Sequence, residues 1–394
     1  MKKTIIAILA LLIGAFGCTE EPEEPIFSVE KAKEALDFGV IQYQHKMNAT
    51  PPGKVPVTFK DDTVRYSDIY WWVSGFYPGS LWYLFEYTGN EIFKNEAHKR
   101  TMFLEPLKDH RATHDLGFML YCSFGNGLRL TGNDEYKQIL LTGAESLASR
   151  YNPVVEAIKS WDWSDEWQFP VIIDNMMNLE FLMWAAEASG NENFENIAMN
   201  HSYTSKNNFY RDDYSSYHVI DFDTLTGNVI NKFTHQGYSD ESAWARGQSW
   251  GLYGFTMMFR ESGEEYFLNL AMNIADFLLD HPNLPEDKIP YWDYDAPDIP
   301  DTYRDASAGA IMASALLELS TFVEDAKSEK YFNAAEIILA NLSSENYMAN
   351  EGENGNFILK HSVGFLPADS EVDVPLSYAD YYFIEALHRY INIK

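Results

Sequence analysis

Four times along this chain a helix-length apolar run stops at a glycine, and a new helix opens on the next residue. Tyr87-Thr-Gly-Asn90 leads into Glu-Ile-Phe93, Leu130-Thr-Gly-Asn133 into Asp-Glu-Tyr136, Ala188-Ser-Gly-Asn191 into Glu-Asn-Phe194, and Glu261-Ser-Gly-Glu264 into Glu-Tyr-Phe267. Glycine takes the left-handed conformation that ends a helix without a Cβ penalty. Asparagine then caps the next helix with its side chain, and acidic residues in the first turn complement the helix dipole. A fifth copy, Glu324-Asp-Ala-Lys-Ser-Glu-Lys-Tyr331, keeps the acidic start without the glycine. Punctuation repeated in this way predicts a fold of successive helix pairs.

The helices on the two sides of each turn differ in kind. Those before it, near 79–87, 116–130, 175–188, 247–261, 307–323 and 377–390, are small and apolar on most sides. Those after it, near 91–104, 134–150, 193–199, 265–281 and 330–341, carry charge on one face, as does an opening helix near 29–47. Helices that are apolar all round are buried, and amphipathic ones face solvent. Six inner and six outer helices in alternation predict an all-α (α/α)6 barrel; an open α-solenoid is the alternative. Long polar connections at 48–71, 150–171, 210–242, 282–305 and 346–376 all lead into inner helices, whereas the inner-to-outer connections are short. One barrel mouth is therefore dressed with loops, and a functional site belongs there.

The first residues read as an export signal. Lys2-Lys3 precede an apolar run from Ile5 to Phe16 that is too short to favour a spanning helix. Ala15-Phe-Gly-Cys18 resembles the lipobox of bacterial lipoproteins, with Cys18 as the lipidated residue, and Thr19-Glu-Glu-Pro-Glu-Glu-Pro25 forms an acidic tether. The expected organisation is a signal peptide over 1–17, a tether over 18–28 and one barrel domain over 29–394, exported and lipid-anchored to the outer membrane, on its periplasmic face or at the cell surface. Cys122 is the only other cysteine, so the fold has to be held by its core and not by a disulfide. A net charge of −30 argues against nucleic acid or an anionic membrane surface as a partner. That leaves the lipid as the expected membrane contact.

Two aspartates stand out against this background. Asp174 sits in Val171-Ile-Ile-Asp-Asn-Met-Met-Asn-Leu179, an otherwise apolar run, and Asp115 opens the apolar His114-Asp115-Leu-Gly-Phe-Met-Leu120. Burying a carboxylate costs several kcal/mol or raises its pKa, which is tolerated mostly where the group has a function. The structural alternative is that both are N-caps. Equivalent places in the repeats put Asp115, Asp174, Arg246 and Asp305 at the dressed mouth. There they would meet sugar-stacking candidates Trp71, Trp72, Trp161, Trp163, Trp244 and Trp250, and the hydrogen-bonding groups His114, His218 and Gln236. Arg246 begins an apolar helix, where its charge is disfavoured by the helix dipole, so it needs an anion: a protein carboxylate or one brought by a ligand. No phosphate loop, zinc motif or nucleophile motif is present. Asp221, Asp223, Asp293, Asp295, Asp298 and Asp301 lack EF-hand spacing and read as solvated loop residues.

His114-Asp-Leu-Gly-Phe118, Ile173-Asp-Asn-Met-Met-Asn178, Ser242-Ala-Trp-Ala-Arg-Gly-Gln-Ser-Trp-Gly251, Pro290-Tyr-Trp-Asp-Tyr-Asp-Ala-Pro297 and Arg304-Asp-Ala-Ser-Ala-Gly309 together resemble the unsaturated glucuronyl hydrolases, glycoside hydrolase family 88. The likeness covers nearly the whole chain after Thr58. It implies an (α/α)6 barrel that removes the 4,5-unsaturated uronic acid left by polysaccharide lyases at the non-reducing end of oligosaccharides. The implied reaction is hydration of the C4=C5 vinyl ether, after which the hemiketal opens and releases the partner sugar. By this resemblance Asp174 is the general acid/base and Asp115 its partner. Trp72 (or Trp71), His114, Trp161, His218, Gln236, Trp244, Arg246 and Trp250 match sugar-binding positions. No metal or organic cofactor is implied. The related unsaturated rhamnogalacturonyl hydrolases of family 105 and a non-catalytic glycan-binding lipoprotein are the competing readings. Ulvan and glycosaminoglycan products are both open as substrates, and the acidity suited to salt water tilts the expectation to ulvan.

Overall fold

A computed structural model of the chain describes residues 26–394. The expected signal peptide, Cys18 and most of the tether lie outside the described residues. Twelve α-helices follow one another: α1 (Val29–Ala49), α2 (Phe76–Thr88), α3 (Glu91–Met102), α4 (Asn126–Thr131), α5 (Asp134–Ala148), α6 (Leu179–Ser189), α7 (Glu192–Phe209), α8 (Ala245–Ser262), α9 (Glu265–Asp280), α10 (Ala306–Ser320), α11 (Asp325–Leu342) and α12 (Ser377–Ile393). The even-numbered helices are the inner ones. α10 is buried over nearly its whole length, while α9 buries a single stripe from Phe267 to Leu279.

Ring closure decides between barrel and solenoid. α12 packs on α10 and returns to α2; α10 packs on α8, and α8 on α6 and the turn before it. The segment before α4 contacts α2 on one side and α6 on the other, which completes the ring. The fold is the (α/α)6 barrel, its ring closed among the described residues.

The Gly-Asn turns form as their local chemistry dictates. Gly89, Gly132, Gly190 and Gly263 all have φ between 63° and 72°, and each donates its N–H to the carbonyl four residues back. Asn90, Asn133 and Asn191 then accept from the backbone N–H two residues on.

Three features differ from the sequence expectation. α7 continues to Phe209, ten residues past the expected end, because its polar second half buries His201, Ser202, Thr204, Ser205 and Phe209. Packing here overrides weak helix propensity. The long connections are partly ordered as hairpins: 55–60 with 63–67, 151–152 with 157–158, and 362–365 with 370–374, plus a three-stranded sheet of 170–172, 219–222 and 229–233. Asp221 and Asp293 are buried, not solvated. Asp221 accepts the N–H groups of Gln168 and Phe169; Asp293 accepts those of Tyr238 and Asp295 and the Ser242 hydroxyl. Loop backbone folded over the mouth has no helical partners, so side chains supply them.

A buried pair ties the first helix to the last. Lys46 Nζ lies 3.0 Å from Asp380 Oδ2, with both side chains nearly inaccessible. Asp380 Oδ1 accepts the backbone N–H groups of Ile358 and Leu359, each at 3.0 Å.

Candidate active site

Asp115, Asp174, Arg246 and Asp305 sit at the N-terminal ends of inner helices, whereas His218 and Gln236 lie in the 210–242 connection. Asp115 precedes a π-helical stretch (Gly117–Gly125) that runs into α4, and Asp174 lies in a 3-10 turn (Ile173–Asn178) that runs into α6. Arg246 is in the first turn of α8, and Asp305 caps α10 by accepting from Ser307 N. The two aspartate segments are held together directly: Asn178 Oδ1 accepts from Phe118 N at 3.0 Å. A Cβ on Gly117 would lie 2.7 Å from Asn178, so this approach requires glycine.

Neither Asp115 nor Asp174 is an N-cap. Asp115 Oδ2 accepts from the Thr113 hydroxyl at 2.6 Å, and residues other than these two cap both helical segments. Asp174 is 8% exposed, and burial raises its pKa to about 7. Arg246 opposes that shift, the Asp115 charge adds to it, and the Trp250 indole N–H lowers it slightly.

The two histidines are held by different kinds of partner. His218 Nδ1 accepts the backbone N–H groups of His235 and Gln236 at 3.1 Å. Burial holds its pKa well below the ordinary value, so the neutral ring carries its proton on Nε2, 3.8 Å from Asp174 Oδ2. His114 lies between two acceptors: Nδ1 is 3.0 Å from the Ser160 carbonyl and Nε2 is 3.1 Å from Asp115 Oδ1. Burial lowers the His114 pKa as well.

Arg246 lines the mouth and is held by protein groups. It donates to the carbonyls of Val363 (2.5 Å) and Gly364 (2.9 Å) and to Gln236 Oε1 (3.0 Å), with Asp305 Oδ2 at 3.8 Å. Its guanidinium lies over Trp244 and Tyr378. Trp244 and Trp250 are buried, so their faces are occupied by packing: Trp244 against His218, and Trp250 against Phe118 and Tyr382. Asp174 Oδ2, His218 Nε2, Arg246 Nε, Trp250 Nε1 and Asp305 Oδ2 are among the buried polar atoms left without a hydrogen-bond partner. Buried polar groups are nearly always paired, so a cluster of exceptions marks a place for water or ligand.

Beside Asp115 and Arg246 lies a cavity of about 380 Å3, whose lining includes neither Asp174, His114, His218, Trp244 nor Trp250. Of the anticipated residues, Trp72, Asp115, Trp161, Gln236 and Arg246 line it, as do Trp71 and Trp163. His235, Phe365, Glu371 and Tyr378 also line it and were missed. His235 adjoins Gln236 and could have been suspected; the other three come from the 346–376 connection and the start of α12, where no motif drew attention. Arg150 braces the walls from behind, donating to the carbonyls of Arg111 and Lys159 and to the Asp162 carboxylate. It thereby ties the segment leading to Asp115 to the one bearing Trp161.

No protein-family model matches the chain. An unsaturated glucuronyl hydrolase of Formosa agariphila is 46% identical over 324 residues, covering 82% of this chain and 80% of that protein. The unsaturated chondroitin disaccharide hydrolase of Streptococcus pneumoniae is 33% identical over 378 residues, covering 93% of this chain and 94% of that protein. The crystal structure of an unsaturated glucuronyl hydrolase specific for heparin superposes with a TM-score of 0.91 at 48% identity, covering 93% of this chain and 98% of that one.

Proposed function

The chain belongs to the unsaturated glucuronyl hydrolases, a family of glycoside hydrolases, and from that premise we propose how its own residues act and on what. Asp174, protonated up to about pH 7, gives its proton to C4 of the vinyl ether. The carboxylate it becomes takes a proton from water as that water adds to C5. The hemiketal then opens, and the partner sugar leaves. Asp115 binds sugar hydroxyls and holds up the pKa of Asp174. His218 offers its Nε2 proton to a hydroxyl or water beside Asp174, and His114 stands against the Asp115 carboxylate. The observation that carries this reading is a buried carboxyl with a pKa near neutrality, set among unpaired polar atoms. A non-catalytic glycan binder would have no use for it, and the relatives' names favour glucuronyl over rhamnogalacturonyl substrates.

The substrates are unsaturated glucuronyl oligosaccharides released by polysaccharide lyases. The strong acidity tilts the choice among them to ulvan products. Two of the named relatives carry a substrate in their names, an unsaturated chondroitin disaccharide and heparin, so these are the comparison. The enol carboxylate of such substrates absorbs in the ultraviolet and the product does not. The protein is expected to bleach this band, with ulvan products turned over at least as well as chondroitin, hyaluronan or heparin products. A tenfold preference for the glycosaminoglycan products, about 1.4 kcal/mol in transition-state binding, would reverse that ordering.

Export and anchoring through Cys18 complete the proposal; several acyl chains on one residue anchor a protein firmly. The wild type is expected in the membrane fraction and Cys18→Ser in the soluble one. Equal recovery of both as soluble protein would remove the anchor.

A further inference from the structure

The second half of α7 is polar yet buried, and the hydration chemistry gives it no task. His201 lies at its centre, fully inaccessible to solvent and outside the lining of the cavity beside Asp115. Its Nδ1 accepts the Ile158 N–H at 3.0 Å. Burial, and secondarily the His114 ring, hold its pKa down at about 3. The ring is therefore neutral, and because Nδ1 accepts, its proton is on Nε2. A buried neutral histidine is often just a satisfied core group. What distinguishes His201 is the segment that it holds.

That segment, residues 157–160, is bonded to both arms of the site. The Ile158 carbonyl accepts from Asn175 Nδ2 at 3.1 Å, one residue after Asp174. The Ser160 hydroxyl accepts the Ile172 N–H at 3.0 Å, two residues before Asp174, and Ser160 N donates to the Pro170 carbonyl at 2.8 Å. The Ser160 carbonyl stands 3.0 Å from His114 Nδ1, and His114 Nε2 stands 3.1 Å from Asp115 Oδ1. Four residues thus grip the Asp174 turn on both sides and reach Asp115 through His114. Arg150 holds the segment by the carbonyls of Lys159 and Ser160, and His201 holds it by Ile158. Ile158 is the residue whose carbonyl fixes Asn175, so the link from α7 to the Asp174 turn runs through a single peptide neighbourhood.

We propose that His201 is a positioning residue for the hydration reaction: by fixing Ile158 it sets where Asp174 stands relative to Asp115. The role rests on the hydration reading above and acts on the chemical step, not on substrate binding. A misplacement of about 1 Å in a reacting group can cost on the order of 10²-fold in rate. The test compares wild type with His201→Asn, His201→Gln, His201→Leu and Thr204→Val on an unsaturated glucuronyl disaccharide across pH, with folding followed by circular dichroism. Asparagine carries an acceptor on Cγ, as Nδ1 is carried; glutamine carries it one bond further out, and leucine has none. His201→Gln and His201→Leu should lose about tenfold or more in kcat with KM within about twofold of wild type. Their alkaline limb should move to lower pH, because a loosened turn lets water reach the buried Asp174 carboxyl. His201→Asn should recover most of kcat and restore the limb. Thr204→Val removes bonds from the same helix to the carbonyls of Val155 and Glu156. It should lower the melting temperature without moving the limb. Folded His201→Gln and His201→Leu with normal kcat and limb overturn the role, as does a Thr204→Val limb shifted equally far. If His201→Leu does not fold, the asparagine and glutamine variants decide: equal activity and equal limbs in the two overturn it. Wild type inactive on the disaccharide would end the hydration reading and this role with it, a result distinct from an active wild type with indifferent variants.

Discussion

Asp174→Asn is expected to give a folded protein whose rate on unsaturated glucuronyl oligosaccharides falls by at least the roughly 10²–10⁴-fold typical of one general acid/base. Asparagine fills nearly the same space but has no proton to deliver to C4. Stability separates this outcome from misfolding. Burial raises the Asp174 pKa to about 7 from the ordinary 3.8. A carboxyl with a raised folded-state pKa contributes stability at low pH and loses it as pH rises between those two values. Asp174→Asn, which cannot ionise, should therefore resist denaturant at least as well as wild type above pH 7. A folded variant with near-normal rate would end the assignment.

The neighbouring Asp115→Asn tests the electrostatics. The reaction needs protonated Asp174, so activity should decline on the alkaline side of its pKa. Removing the Asp115 charge removes one cause of the raised value, while the larger cause, burial, stays. The alkaline limb of the pH profile should move to lower pH without reaching the ordinary carboxyl range. Because the two carboxyls interact, each limb reports the pair. An alkaline limb that stays in place or moves to higher pH contradicts the coupling.

Asp380→Ala should be the most destabilising single change away from the site. It leaves Lys46 buried without its counter-charge and takes the acceptor from Ile358 N and Leu359 N. Breaking a buried pair by removing one partner costs about 3–5 kcal/mol, chiefly through the charge left behind. Burial already presses the Lys46 pKa downward against the pull of Asp380. The paired change Lys46→Met with Asp380→Asn removes both charges together and should be the milder of the two. Urea midpoints decide it: a double variant less stable than Asp380→Ala would show that the pair stabilises by more than mutual neutralisation.

Helix order and helix role could be read from the sequence because their causes are local. A glycine stop, an asparagine cap and an acidic first turn act within about four residues, so Gly89-Asn90, Gly132-Asn133 and Gly190-Asn191 announce themselves. Inner and outer roles follow from one-sided or all-round polarity, which is also local. Asp174 was visible for a related reason, as a charge in an apolar run.

What the sequence left open is decided by partners far along the chain. The protein partners of Arg246 could not be read from its motif: they include the carbonyls of Val363 and Gly364, 117 and 118 residues away. The proton position on His218 is set by the backbone of residues 235–236, and His114 is held between the Ser160 carbonyl and its neighbour Asp115. Asp221 and Asp293 looked like solvated loop residues until hairpins folded over them. Phe365 has no motif at all and gains its place by standing against His235. A carbonyl or a phenyl ring looks the same in any sequence, and only the closed ring of helices, with its connections folded over one mouth, determines which of them meet.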